Sequence, residues 1–318
     1  MESAKNIKNP KIFVLLNFNL KNWVFSFLDF EEIISNLFFV HSGFTKSLNK
    51  NKMIKFFKEN FNYLMQQIHF SNQKLKEIKS EFSENFEASE EAYHQIFTYI
   101  LMKKYKTENQ LQLKSTYLPV KIISTYVSKQ KHLQILNLAN NNIAKIPLNL
   151  KYLSDMALKL TNSLQKLYLN DNEIGKNSTD MKYLSQALSL NNSIRDLDLN
   201  WNEIGKNKLD IYYLCQALKR NRKLENLYLY NNLIGNNKED MVFLKDALKI
   251  NRIIKDLDLS WNCIGENIKD FDFLANGLKE NKSLLIINLT KNLIDNFENI
   301  NMLKKESPNI MIVSFGQD

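Results

Sequence analysis

One pattern of about 30 residues returns along the second half of the sequence. It begins with L-x-x-L-x-L-x-x-N-x-I, in which isoleucine can replace leucine, and a glycine follows in all but the last clear copy. A fixed period of this length indicates a repeat architecture, because each unit must stack on its neighbours to bury its apolar face. The clear copies of this head are Leu164–Gly175, Ile194–Gly205, Leu224–Gly235, Ile254–Gly265 and Leu284–Ile294.

Within one unit, the apolar residues change from the spacing of a strand to the spacing of a helix. Leu197 and Leu199 alternate with Asp196, Asp198 and Asn200, which predicts a short strand with its leucines on one face. Leucine and alanine then recur at the i, i+3, i+4 spacing of a helix. Parallel strands joined by helices at this period form an α/β solenoid, with a curved parallel sheet inside and helices outside.

Four positions of the unit have predicted roles where the chain turns. Asn202 follows the strand, and its amide can satisfy backbone groups that no strand ladder reaches. Gly205 is free to take a positive φ, and Asp210 stands where a carboxylate can cap the first N–H groups of the helix. Asn221 is predicted to end that helix in a left-handed conformation. The repeats that begin at Leu164, Leu224 and Ile254 carry the same residue types at these positions.

The repeat heads resemble those of the leucine-rich repeat family, of the long kind found in ribonuclease inhibitor. The resemblance covers residues 111–318, with an incomplete first strand near Leu111 and a closing strand near Val313. It implies one strand and one helix per repeat, with the strands lining the concave side of the solenoid. We call the solvent-facing side of this sheet the sheet face.

The amino-terminal part of the chain carries a second pattern. Residues 16–57 predict two or three short helices, and their apolar residues resemble an F-box, whose pattern is L-P-x-E-L-L-x-x-I-F-x-x-L. Asn17 replaces the usual proline, Asn19 the acidic residue and Ile54 a common tryptophan. The resemblance implies a module that docks a Skp-family adaptor of a cullin-RING ubiquitin ligase. The adaptor-binding residues it implies are Leu16, Leu20, Val24, Phe25 and Leu28.

The same helices also fit a simpler alternative. Repeat arrays need a cover over their open end to stay soluble, and residues 11–105 would supply one without binding any adaptor. We divide the chain into an F-box-like module at residues 11–60, a helical linker or cap at 61–110, and the solenoid at 111–318.

The charge and the rare residue types disfavour several other classes of protein. The net charge is +9, but its lysines are scattered and lack the focus of a phosphate-binding stripe. The histidines and cysteines lack metal-ligand or nucleophile spacing, and there is no glycine-rich phosphate loop. We therefore expect no enzyme activity, no cofactor, no metal and no nucleic-acid partner. Two cysteines at unlike repeat positions and a short amino-terminal apolar run predict a cytoplasmic or nuclear protein without a membrane segment.

The outward residues of the strands alternate with a doubled period. Strands reading DLDLNWN and DLDLSWN flank one reading LYLYNN, so four carboxylates border an aromatic strip. Exposed Trp and Tyr are enriched at binding hot spots, and carboxylates beside them favour a partner with a basic surface. The alternatives are a sixty-residue duplication whose aspartates are only solvated, and a divalent metal, which needs converging oxygens that a flat sheet rarely provides. The predicted binding residues are Tyr168, Asp196, Asp198, Trp201, Tyr228, Tyr230, Asp256, Asp258 and Trp261.

The two resemblances together imply an F-box and leucine-rich-repeat protein, the substrate-recognition subunit of an SCF-type ubiquitin ligase. Such a subunit performs no chemistry and holds the protein to be ubiquitinated on its repeats. The alternative is a leucine-rich-repeat scaffold or regulator whose amino-terminal helices are only a cap. The fold decides nothing between them, because repeat folds serve many functions. Both predict a protein partner, and we expect the chain to be a monomer outside its complex.

Overall fold

The described part of the molecule is one open sheet whose strands are joined by helices. The computed structural model describes residues 108–113, 120–146, 148–267, 269–294 and 296–314. Within these residues, eight parallel strands lie in sequence order, each paired with the next. This confirms the predicted α/β fold, a repeating parallel sheet with helices that is consistent with a leucine-rich-repeat solenoid. The F-box-like module at residues 11–60 and nearly all of the linker at 61–110 lie outside the described residues.

Short strands and longer helices alternate along the chain. The strands are β1 (Gln110–Gln112), β2 (Ile135–Asn137), β3 (Lys166–Tyr168), β4 (Asp196–Asp198), β5 (Asn226–Tyr228), β6 (Asp256–Asp258), β7 (Ile286–Asn288) and β8 (Met311–Val313). The helices are α1 (Val120–Ser128), α2 (Asn149–Tyr152), α3 (Asp180–Leu190), α4 (Asp210–Arg220), α5 (Asp240–Ile250), α6 (Asp270–Glu280) and α7 (Phe297–Glu306). A π-helical segment continues α2, and 3-10 turns follow β2 and β3. The predicted first and last strands are therefore present.

The apolar core lies between the sheet and the helices. Leu197 and Leu199, in and just after β4, are fully buried, and Leu214 and Leu218 of α4 are each 2% exposed. The parallel register places Leu197 beside Leu227 of β5, so the leucines of successive strands face the same way. Because strand side chains alternate, the residues between these leucines lie on the sheet face. The leucine pattern thereby fixes which side chains are available to a partner.

The predicted role of Asn202 is confirmed. Its side chain is fully buried, and Nδ2 donates to the carbonyl oxygens of Leu169 and Leu199, each at 3.0 Å. Its Oδ1 accepts from the N–H groups of Asn172 at 3.0 Å and Ile174 at 3.3 Å. Each amide therefore joins its own repeat to the preceding one. The equivalent residues, which also donate to a carbonyl of the preceding unit, are Asn141, Asn172, Asn232, Asn262 and Asn292.

Asp210 does not cap the helix as predicted. It is the first residue of α4, and its Oδ2 accepts from the N–H groups of Gly205 at 3.2 Å and Asn207 at 3.1 Å, both of which precede the helix. Because the carboxylate already lies inside the helix, it faces back to the turn and closes it. Asp240 and Asp270 make the same contacts in their repeats. Burial raises the pKa of Asp210 and of Asp240 to about 6.

The predicted left-handed conformation of Asn221 is wrong. The residue has φ −62° and ψ 139°, which is extended backbone. Its Oδ1 accepts from the N–H groups of Lys223 at 2.8 Å and Leu224 at 2.7 Å, and its Nδ2 donates to the carbonyl oxygen of Leu188 at 2.6 Å. The side chain thus supplies the hydrogen bonds that a left-handed residue would otherwise arrange through the backbone.

The glycine after the repeat head is required for different structural reasons in different repeats. Gly205 has φ +100°, and Gly235 and Gly265 also have positive φ, as predicted. Gly175 does not share this conformation, because it lies in a 3-10 turn. There, a Cβ atom would lie 2.0 Å from the carbonyl oxygen of Glu203. Gly175 is therefore required for the close approach of the next repeat rather than for its own φ.

Candidate functional site

Two rows of outward side chains cross the middle of the sheet face. One row is Lys166, Asp196, Asn226 and Asp256, and the other is Tyr168, Asp198, Tyr228 and Asp258. All of these residues are half-buried. The register therefore places acidic strands β4 and β6 on either side of β5, which carries the tyrosines. Since strands lie about 4.8 Å apart, β4 and β6 are separated by roughly 10 Å.

Three aromatic side chains form a continuous contact series beside these rows. The ring centroids of Trp201 and Tyr230 are 5.6 Å apart, and those of Tyr230 and Trp261 are 6.3 Å apart, both with edge-to-face geometry. Trp201 is 54% exposed and Trp261 is 49% exposed. We call Trp201, Tyr230 and Trp261 the aromatic ladder. It presents a large apolar area to solvent while being held in place by its own ring contacts.

Both tryptophans occupy an unusual backbone position. Trp201 has φ +57° and Trp261 has φ +54°, in the left-handed region. Asn140, Asp171, Asn231 and Lys291 take the same conformation at the equivalent positions, and short polar residues adopt it more easily than bulky ones. The sequence predicted that the tryptophans face outward, but not this conformation. The recurrent Asn and Asp at the same repeat position were the signal for it.

The four predicted carboxylates are not equivalent. Asp196 forms an ion pair with Lys166, with Oδ2 and Nζ 2.7 Å apart, and it also accepts a hydrogen bond from the Asn226 amide. The hydrogen bond that Lys166 donates to this carboxylate, together with the negative charge of Asp196, raises the pKa of Lys166. Asp196 is therefore neutralised within the protein, a pairing that the sequence analysis missed. The repeat period could have predicted this ion pair, because Lys166 lies at the position equivalent to Asp196 on the preceding strand.

Three carboxylates remain without a lysine or arginine partner among the described residues: Asp198, Asp256 and Asp258. Burial raises the pKa of Asp198 and of Asp256, and the charge of Asp258 adds to both effects. Burial, followed by the charges of Asp256 and Asp196, likewise raises the pKa of the Tyr228 phenol. The centre of the sheet face is thus a region of uncompensated negative charge, although the chain as a whole is basic.

Two of these aspartates also shape the backbone. Oδ1 of Asp198 accepts from the N–H of Asn200 at 2.9 Å, and Oδ1 of Asp258 accepts from the N–H of Ser260 at 2.8 Å. On β5, where a tyrosine replaces the aspartate, the N–H of Tyr230 donates instead to Oδ1 of Asn200 at 2.7 Å. The aspartates are therefore more than solvated charges, because each one fixes the turn that leads into its tryptophan. An Asp two residues before the N–H that it accepts is a common turn pattern.

The two borders of this region carry positive charge. On one side, Glu225 lies between Arg195 and Lys255, and its Oε2 is 2.6 Å from Lys255 Nζ. The hydrogen bond from Lys255 is the largest cause of the lowered pKa of Glu225. On the other side, Lys291 Nζ lies 5.9 Å from the centroid of the Trp261 ring, within cation–π range. Cations of the protein itself thus already associate with both borders of the face.

Among the described residues, no group of three or more His, Cys, Asp or Glu side chains is placed to hold a metal ion. No helix in the described ranges is long and apolar enough to cross a membrane.

Comparisons with known proteins add little to this geometry. The sequence matches no protein-family model and no curated protein. One solved structure that it resembles is the leiomodin-1 actin-binding site 2, with 18% identity and a TM-score of 0.38 over 48% of this chain and 84% of that one. At these values the match establishes neither a shared fold nor a shared partner. The repeating parallel sheet described above is the basis for any inference about function.

Proposed function

We propose that this chain is a non-catalytic interaction protein that binds another protein on its sheet face. The observation that carries the proposal is the aromatic ladder, in which half-exposed Trp201 and Trp261 are joined through Tyr230. Trp and Tyr dominate the energetics of protein interfaces. The proposed contact residues are Tyr168, Asp196, Asp198, Trp201, Tyr228, Tyr230, Asp256, Asp258 and Trp261.

The backbone at the tryptophans supports this assignment. A left-handed conformation costs an ordinary L-residue about 1–2 kcal/mol, and asparagine already serves at Asn231 between the two tryptophans. Bulky residues at such positions persist only where the surroundings hold them there, and they cluster at functional sites. Trp201 and Trp261 are therefore better explained by contact with a partner than by the needs of the turn.

The partner is proposed to be basic where it meets the sheet. Asp198, Asp256 and Asp258 lack a cationic partner among the described residues, and their mutual repulsion would be relieved by an incoming lysine or arginine. A cation would also interact favourably with the faces of the neighbouring tryptophans.

We further propose that the chain is the substrate-recognition subunit of an SCF-type ubiquitin ligase, in the cytoplasm or nucleus. This finer assignment is supported by the resemblance of residues 11–60 to an F-box and by their position before a repeat domain. The module would hold a Skp-family adaptor while the sheet face holds the protein to be ubiquitinated. The alternative remains a leucine-rich-repeat scaffold or regulator with a helical amino-terminal cap.

A site-specific crosslinker tests binding at the sheet face. A photo-reactive amino acid in place of Asn231, which lies between the two tryptophans, should crosslink a partner in the cells from which the chain comes. The same group in place of Leu190, which is 61% exposed at the end of α3, is the matched control. The band from the first position should disappear when Trp201 and Trp261 are both alanine. Crosslinks from the control position alone would place the interface on the helices.

A binding experiment with a purified Skp-family adaptor tests the finer assignment. The full chain should retain the adaptor on a column, and Leu16→Asp with Leu20→Asp should abolish retention. Circular dichroism should show that the variant keeps its repeat domain. If the parent chain does not retain the adaptor, the ubiquitin-ligase assignment fails and the scaffold alternative takes its place.

A further inference from the structure

Two of the aspartates and the two tryptophans of the aromatic ladder form two copies of one local arrangement. In each copy, an aspartate precedes a tryptophan by three residues, Asp198 with Trp201 and Asp258 with Trp261. Both aspartates fix a turn through Oδ1, at 2.9 Å and 2.8 Å, and both tryptophans have nearly the same φ, +57° and +54°. We call each aspartate–tryptophan pair a half-site. Because the two half-sites share backbone geometry, a chemical group that fits one fits the other.

The chemistry of a half-site suits a cation. The Oδ2 oxygens of Asp198 and Asp258 accept no hydrogen bond from a described residue, since each turn uses only Oδ1. A guanidinium or ammonium group can hydrogen-bond such an oxygen and lie against a tryptophan ring at the same time. At Trp261 the protein already supplies an ammonium group, because Lys291 Nζ lies 5.9 Å from the ring centroid. At Trp201, the equivalent neighbour is the neutral Asn231.

The spacing of the half-sites restricts how the cations are arranged. The half-sites stand on β4 and β6, and β5 lies between them in the register. Two strand spacings of about 4.8 Å place them roughly 9.6 Å apart. A polyproline II segment rises about 3.1 Å per residue, so side chains three residues apart point the same way at about 9.3 Å. Tyr230 occupies the interval, since its ring contacts both tryptophans.

We propose that the two half-sites bind an extended protein segment that carries two cationic side chains three residues apart, R-x-x-R in arginine form. The proposal rests on the proposed function and specifies the chemistry of the partner. One cation lies at Trp201 and Asp198, and the other lies at Trp261 and Asp258. Lys291 acts as a placeholder in the free protein and is displaced when the segment binds. The segment crosses the strands instead of adding a strand to the sheet edge.

Labelled synthetic peptides and the full chain provide the test. The peptides contain two arginines separated by one, two or three prolines, and a fourth peptide has glutamines in place of both arginines. Fluorescence anisotropy should show the tightest binding for the two-proline spacing. The glutamine peptide should bind at least about 30-fold more weakly, because that factor corresponds to the loss of one hot-spot contact of about 2 kcal/mol and this peptide loses two. General attraction of cations to the chain is not expected, because its net charge is +9.

Variants of the protein locate the peptide. Trp201→Ala and Asp258→Asn should each weaken the two-proline peptide, whereas Leu190→Ala on the helical layer should not. Lys291→Gln should tighten binding, since it removes the competing charge, and unchanged or weaker binding would contradict its role as a placeholder. Equal affinity for the arginine and glutamine peptides, or for all spacings, overturns the proposal. If the crosslinker at Asn231 still captures a partner in that case, the proposed function stands and only this assignment of the partner fails.

Discussion

Replacing the buried amide of Asn202 with alanine should destabilise the repeat domain strongly. The substitution leaves the N–H groups of Asn172 and Ile174 without an acceptor, since Oδ1 of Asn202 is the acceptor of both. The carbonyl oxygens of Leu169 and Leu199 each keep a second amide donor, from Asn172 and Asn232 respectively, so they contribute less. An unsatisfied buried donor costs about 1–3 kcal/mol, so the two N–H groups predict a loss of roughly 2–6 kcal/mol.

Urea unfolding followed by circular dichroism measures this loss directly. Asn276→Ala is the matched control, because Asn276 is exposed on α6 and its amide donates only within its own helix. The control should change the free energy of unfolding by less than about 0.5 kcal/mol. Asn202→Asp should be as harmful as the alanine variant, because a carboxylate would face the Leu169 and Leu199 carbonyls. A loss indistinguishable from the control would refute the role given to the amides.

Three further predictions concern other parts of the repeat. Burial raises the pKa of Asp210 and Asp240 from 3.8 to about 6, so their stabilising contribution is complete below the unfolded pKa and is lost as pH rises through 6. The variant that carries both Asp210→Asn and Asp240→Asn should lack the resulting fall in the free energy of unfolding between about pH 4 and 7, which is up to roughly 3 kcal/mol per group. Urea unfolding at the two pH values measures it, and an equal fall in the parent chain and the variant would contradict the prediction. Gly175→Ala should lower the thermal midpoint, because the new Cβ would meet the Glu203 carbonyl oxygen at 2.0 Å and overpacking costs about 1–3 kcal/mol. Leu227→Ala should cost about 2–5 kcal/mol and raise hydrogen exchange first in adjacent repeats, whereas a uniform rise over the chain would disprove nearest-neighbour coupling.

The parts of the fold that depend on local periodicity were predictable from the sequence. Leu197 and Leu199 fixed the strand and its buried face, and the spacing of Leu214 and Leu218 fixed the helix. The role of Asn202 was also predictable, because a short amide after a strand can reach only nearby backbone groups. In each case the residue acts on the repeat that contains it or on the one beside it.

The misassigned details depended on exact backbone geometry. Asn221 has residue chemistry suited to a left-handed stop, but its side chain satisfies the same groups from extended backbone. Gly175 looks identical to Gly205 in sequence, and the backbone distinguishes them, since Gly205 has a positive φ and Gly175 lies in a 3-10 turn. In the candidate site, the binding role of the nine residues stays a prediction. The pairing of Asp196 with Lys166 required knowledge of the register between strands.

The asparagine series has a direction, and that direction governs how the array can change length. Each amide serves the unit before it, as Asn292 does when its Nδ2 donates to the Leu259 carbonyl oxygen. A repeat that is inserted or removed as a whole therefore adds or removes its own inter-repeat hydrogen bonds, and the neighbouring repeats keep theirs. The tryptophans do not share this freedom, because they recur every second strand. Inserting or removing a pair of repeats preserves the alternation of strands with and without a tryptophan on the sheet face. Inserting or removing a single repeat breaks that alternation.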